Sequence, residues 1–160
     1  MFQLNTALAQ VPTIINDSIF SKVLNEQPNL KIYLPEEYKP GSNAKYDVVY
    51  IIDGETHFDD FIFIYKFAKN VKFIPPLILF AIPNKYTNEG NIRDCDFLPE
   101  KTKNNVKADG ANNFIAFLKD EPVPYINKKL PARGDNSLFD HSLKRKCTSK
   151  MELKILKVRV

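Results

Sequence analysis

Near-continuous aliphatic and β-branched positions fill two short stretches of the chain, "YDVVYIID" from Tyr46 to Asp53 and "PLILFAIP" from Pro76 to Pro83. Runs of this length and composition predict strands covered on both faces, as at the centre of a mostly parallel sheet. An earlier stretch, "NLKIYLP", alternates Leu30, Ile32 and Leu34 with Lys31 and Tyr33 before Pro35, which predicts a half-exposed strand. Between the two apolar runs, "HFDDFIFIYKFAKN" sets Phe58, Phe61, Ile62, Tyr65 and Phe67 at helical spacing. Asp59 and Asp60 stand near its start, where the helix dipole favours negative charge. Strand, helix and strand in this order predict a βαβ crossover.

A second helix is predicted over "GANNFIAFLKDEPVPYINKK", with Phe114, Phe117, Leu118 and Ile126 on one side and a break near Glu121 imposed by Pro122 and Pro124. "EEYKPGSNAK" is turn-rich and reads as a surface loop. After "LPARGD" the next strand falls on "NSLFDHSL", where Leu138 and Phe139 give way at once to Asp140, His141 and Ser142. The pattern is that of an α/β domain, and in such sheets functional groups gather at the carboxyl ends of the strands. "DGETHF" after the first central strand and the segment after Phe139 are therefore the two places to look for chemistry.

Composition narrows the class. At 160 residues the chain fits one domain, and a domain of this size buries roughly two thirds of its unfolded surface. Apolar residues at 44% and charged ones at 26% exclude a disordered chain. The two cysteines, Cys95 and Cys147, show no metal-binding spacing. No apolar run approaches the roughly 18 residues that span a bilayer. In "FQLNTALAQ", Ala7 and Ala9 before Gln10 resemble the end of a secretory signal, without the basic and apolar regions that precede one. Residues 1–17 thus read as a flexible start or a signal remnant, which leaves a cytoplasmic and an exported location both open.

The net charge of +4 is unevenly spread: residues 144–160 carry seven Lys or Arg against Glu152 alone. This tail has three readings, namely a patch for nucleic acid or an anionic membrane, a solvated edge strand whose lysines discourage aggregation, and translation in a shifted frame after Leu143. It lacks the fold signature of a nucleic-acid module, so no nucleic-acid partner is expected.

"SKVLNEQPNLKIYLPEEY", "YDVVYIIDGETHFDDF", "AIPN" with "IRDCDFLPE", and "GANNFIAFLKDEPVPYI", in this order, resemble the esterase family of α/β-hydrolases that includes the enterochelin-esterase-like enzymes. The resemblance covers residues 18–143 and implies the N-terminal part of an α/β-hydrolase domain, a three-layer, mostly parallel sheet with flanking helices. It implies a serine esterase that hydrolyses small-molecule carboxylic esters through an acyl-serine intermediate, with no cofactor. In that family the strand after the long helix delivers a Gly-His-Ser-Leu-Gly nucleophile elbow, and Asp140-His141-Ser142-Leu143-Lys144 stands in its place. The resemblance makes Ser142 the nucleophile. The loop holding Gly54 and Glu55 would supply one N–H of the oxyanion hole, and Leu143 the other.

Two features depart from the family. The elbow needs small residues two before and two after its serine, where this chain has Asp140 and Lys144. An acid and a histidine follow the nucleophile in α/β-hydrolases, whereas after Ser142 these residues hold Glu152 and no histidine. The resemblance stops inside the elbow, so residues 144–160 are expected to reflect truncation or a frame shift, and the chain is expected to be inactive. An unfinished sheet would also leave an edge open to self-association. The alternative is a non-enzymatic binding module or a degenerate fragment.

Plainer readings stand beside the functional ones. Gly54 would merely ease a strand-ending turn. Asp53 is expected to cap a turn rather than act in catalysis. His57 would be an exposed helix-start histidine instead of a substrate-positioning group. Arg93 and Asp94 would be paired surface charges instead of the family's substrate-side R-D loop.

Overall fold

The computed structural model describes residues 13–88, 90–91 and 110–139. Strands β1 (Ile14–Ser18), β2 (Asn29–Tyr33) and β3 (Tyr46–Ile52) precede helix α1 (Gly54–Asn70). Strand β4 (Leu77–Ile82) and a small hairpin, β5 (Tyr86–Thr87) with β6 (Gly90–Asn91), follow. Helices α2 (Ala111–Asp120) and α3 (Pro122–Lys129) then lead into β7 (Ala132–Phe139).

Five strands form one sheet in the order β1-β2-β4-β3-β7. β4, β3 and β7 run parallel, the arrangement that continuous apolar runs predict, while β2 pairs antiparallel with β4 and β1 antiparallel with β2. The layers follow from alternation along each strand. Val48, Tyr50 and Ile52 of β3 join Ile78, Phe80 and Ile82 of β4 under α2 and α3, which contribute Phe114, Phe117, Leu118 and Ile126. The opposite face, with Val49, Ile51, Leu79 and Ala81, lies under Phe58, Ile62 and Tyr65 of α1. The three-layer architecture is the expected one.

Local chemistry explains where the helices stop. Pro122 opens α3 and has no N–H to continue α2, so the predicted long helix divides at Glu121. α1 ends with Lys72 at φ 61°, while the Phe73 N–H donates to the Ala68 carbonyl and the Lys72 N–H to that of Lys69. This is the double hydrogen bond of a left-handed helix terminus, formed here without the usual glycine.

Four features differ from the expectations. Ile14–Asp17, read within a flexible start or signal remnant, pair with β2 together with Ser18; three polar residues in five hid that strand from its pattern. Tyr33, expected on the exposed face of β2, is 1% exposed because α1 covers it. Phe67, one of the apolar residues that the spacing grouped in this helix, is 65% exposed, since it lies nearly half a helical turn away from the centre of the stripe formed by Phe58, Ile62 and Tyr65. β7 starts at Ala132 rather than Asn136: "ARGD" pairs as strand with a bulge, because Tyr46 faces Ala132 and Val48 faces Asn136, with Gly134 at φ 98°.

Side chains tie the outer strands down. Asp17 of β1 accepts hydrogen bonds from Tyr125 and Lys129 of α3. Burial alone would raise its carboxyl, but those bonds, and the one from the Ser18 N–H, hold it below the ordinary carboxylate value. Glu121 accepts from the Lys22 and Val23 N–H groups at 2.9 and 3.2 Å, fastening the loop after β1 to the break between α2 and α3.

Candidate active site

β3 ends at Ile52, and the chain turns into α1 within one residue. Asp53 makes that turn in the left-handed region, φ 59° and ψ 43°, with 7% of its surface exposed. Aspartate tolerates this conformation better than most residues do. Its carbonyl accepts the N–H groups of Thr56 and His57 at 2.9 and 3.0 Å, while its side chain makes no cap hydrogen bond to the helix. The expected capping role thus falls to the backbone of Asp53.

Gly54 follows at the first helical position. A Cβ there would stand 2.7 Å from the Cβ of Ala81 and 3.1 Å from the Ile82 nitrogen, so only glycine lets α1 start this close to β4. Glu55, next along, places its carboxylate on the loop after β4, accepting the Asn84 N–H at 2.8 Å and the Asn84 side-chain amide at 2.6 Å. Asn84 belongs to the "AIPN" stretch, to which the sequence reading assigned no role. The loop with the predicted oxyanion donors is therefore braced on both sides, by packing at Gly54 and by a bidentate acceptor at Glu55. Backbone N–H groups at a helix start are not used by the helix's own ladder and suit developing negative charge.

His57 lies on the flank of α1 that faces β7. Its ring meets that of Phe139 edge-on at a centroid distance of 5.9 Å, and Phe61 meets the same ring at 5.1 Å. His57 is half-buried, so the plainer reading of an exposed helix-start histidine is corrected by its contact with the end of β7. Phe139 in turn is in register with Ile51 of β3. The two carboxyl ends singled out from the sequence therefore adjoin, and His57 stands between them.

On the other flank of the α1 start, toward β1 and β2, opens a cavity of about 420 Å³. Asn16, Asn29 and Lys31 line it from the strands, Gly54 and Glu55 from the helix, and Pro83 from the loop after β4. Cation, carboxylate and amide groups share this wall.

Ser142, Leu143, Arg93 and Asp94 lie outside the described residues, as do both cysteines and the tail. Among the described residues no cluster of His, Cys, Asp and Glu is placed to hold a metal ion, and no helix is long and apolar enough to cross a membrane.

A family model described as "Putative esterase" matches residues 21–143. The chain belongs to this esterase family. Solved structures agree. An IroE-like serine hydrolase from Shewanella oneidensis is similar over 84% of this chain and 44% of its own, at 28% identity and a TM-score of 0.74. The BES protein from Bacillus cereus matches over 92% of this chain and 58% of its own, at 25% identity and a TM-score of 0.68. An enterochelin esterase from Shigella flexneri, 13% identical with a TM-score of 0.57, shares the fold over 79% of this chain and 28% of its own. These 160 residues thus span less than two thirds of each of these relatives. No sequence match is found among curated proteins. Family and neighbours together show the esterase family and its fold.

Proposed function

We propose that these residues form the nucleophile and oxyanion half of a serine-esterase site that acts on small-molecule carboxylic esters through an acyl-serine intermediate. Ser142 is the nucleophile. Backbone N–H groups of the Gly54–Glu55 turn and of Leu143 receive the oxyanion, and His57, Arg93 and Asp94 border the substrate. Within residues 1–160 Ser142 is followed by Glu152 and by no histidine, so these residues on their own are expected to sustain little turnover. Loss of triad partners leaves only the small acceleration that an oxyanion hole and binding provide.

The observation that carries the reading is the contact between Phe139 and His57. It joins the end of β7, three residues before Ser142, to the first turn of α1, which begins with Gly54 and Glu55. The test is incubation of the folded protein with a fluorophosphonate, peptide mass spectrometry to find the modified residue, and a parallel assay with p-nitrophenyl acetate. The proposal expects an adduct on Ser142 with negligible steady-state hydrolysis. Folded protein without an adduct on Ser142 would overturn the assignment of the nucleophile.

A second reading, a binding module without turnover, has its own support in the cavity beside Lys31 and Glu55. Self-association through the outer edge of β7 is part of the same proposal, since among the described strands β7 pairs only with β3.

A further inference from the structure

We propose that the cavity between the first turn of α1 and strands β1 and β2 binds small organic carboxylates, with Lys31 as the counter-charge and Ala81 and Pro83 as the apolar rest for the ligand's body. The proposal rests on the reading of this cavity as a binding site and draws nothing from the serine chemistry.

Sheet register builds the floor. Asn16 of β1 faces Lys31 of β2, and Lys31 faces Ala81 of β4, so residues of three adjacent strands stand in one row. Side chains directly opposite one another across a sheet project from the same face, here the face on which Ala81 lies under α1. Asn29, two positions before Lys31, shares that face. α1 covers it over β3 and β4 but leaves Asn16, Asn29 and Lys31 exposed. The row therefore runs from an amide through a cation to a methyl group. It ends against Gly54, where a larger residue would collide with Ala81. A cavity of about 420 Å³ lies within the range of pockets that take small molecules.

Charge decides the ligand. Among the described lining residues two are carboxylates, and both are engaged: Asp17 accepts from Tyr125 and Lys129, while Glu55 accepts twice from Asn84. Lys31 is the cation among them, and none of the ion pairs formed between described residues includes it. Its ammonium stands 5.9 Å from the centroid of the Phe58 ring, so the side chain leans toward α1 across the cavity floor. The charge left for a ligand to answer is thus positive. An ammonium has three donors, and the side-chain amides of Asn16 and Asn29 add further donors. A carboxylate accepts from several such groups at once and forms charge-assisted hydrogen bonds in doing so. At the other end of the row, Ala81 and Pro83 present apolar surface that gains by being removed from water. An organic acid answers both ends, whereas an inorganic anion answers one.

The test is calorimetric titration of the full-length protein with sodium benzoate, its neutral counterpart benzamide, and inorganic phosphate, alongside circular-dichroism melts to establish that every variant is folded. Benzoate should bind saturably, and benzamide and phosphate should each bind about tenfold more weakly or worse, since each lacks one of the two features. Lys31→Met keeps an unbranched stem without the charge and should weaken benzoate about tenfold. Lys31→Arg should stay within about threefold of wild type, as should Lys119→Met, which removes a surface charge of α2 outside the cavity. Benzamide or phosphate bound as tightly as benzoate would overturn the carboxylate assignment and leave the cavity as a binding site of other chemistry. Benzoate binding that Lys31→Met leaves unchanged, or that Lys119→Met weakens equally, would overturn the role of Lys31. Folded wild type that binds none of these probes would remove the reading of the cavity as a binding site, and the proposal with it.

Discussion

Gly54 and Ala81 approach so closely that a methyl group on residue 54 would stand 2.7 Å from the Cβ of Ala81. The loop most relevant to the site is therefore held by steric fit between a helix start and a strand end. Both partners of the contact are backbone or short side chain, so neither yields by rotating away. Gly54→Ala should push the first turn of α1 off β4 and cost about 1–3 kcal/mol, as overpacking does in dense interiors. Equilibrium urea unfolding would measure it. A stability equal to wild type would show that the approach is looser than this.

Asp17 couples the edge strand β1 to α3 through Tyr125 and Lys129. Its carboxyl is held below the ordinary value of 3.8, so the stabilisation it gives is complete above that pH and is lost as pH falls through the folded pKa. Asp17→Asn should cost about 1–2 kcal/mol at pH 7, where the wild type gains charge-assisted hydrogen bonds that the amide cannot match. The gap between the two proteins should narrow below pH 3.8. Urea titrations at neutral and acid pH would measure it, and a gap that widens in acid would contradict the assignment.

How much of this was legible beforehand depended on whether a residue's environment was set by its neighbours in sequence. β3 and β4 were readable because both of their faces are buried, which leaves an uninterrupted apolar run. The division of the second helical stretch was readable because Pro122 acts on its own backbone. Ile14–Ser18 was not, since that strand exists through pairing with a partner farther along the chain, Ile14 with Tyr33 and Ser18 with Asn29. Nor was the early start of β7, where Gly134 and the bulge let "ARGD" enter the sheet despite its polarity. At the site, the Gly54–Glu55 turn was flagged from the sequence, but its brace was not: Glu55 and Asn84 are 29 residues apart, and no periodicity announces that pairing.

The outward face of α1 carries Phe63 at 77%, Ile64 at 63% and Phe67 at 65% exposure, with Phe73 beyond the helix end at 81%. An apolar stripe of this kind promotes association in water and adds little to the fold of the chain that carries it. The double variant Phe63→Gln with Phe67→Gln should stay within about 0.5 kcal/mol of wild-type stability, since it alters exposed positions only. It should also bind less of a hydrophobic dye and scatter less light at high concentration. A large loss of stability would mean that the stripe packs against part of its own chain.

Phe139 is where the two halves of the candidate site meet, and its removal should separate their effects. Its ring touches His57 and Phe61, so truncation opens a gap between α1 and the end of β7 instead of a void deep in the core. For a half-buried ring the cost of Phe139→Ala should be about 2 kcal/mol, below the range for fully buried phenylalanines. Phe139→Leu should retain most of that stability because it refills much of the volume. If Phe139 matters only for packing, labelling at Ser142 should recover in the leucine variant along with stability. If the ring also orients the imidazole of His57, the leucine variant should fold as wild type does and still label more slowly, because an aliphatic group gives the imidazole no aromatic face to rest against. Urea unfolding and labelling rates measured on the same three proteins distinguish these outcomes.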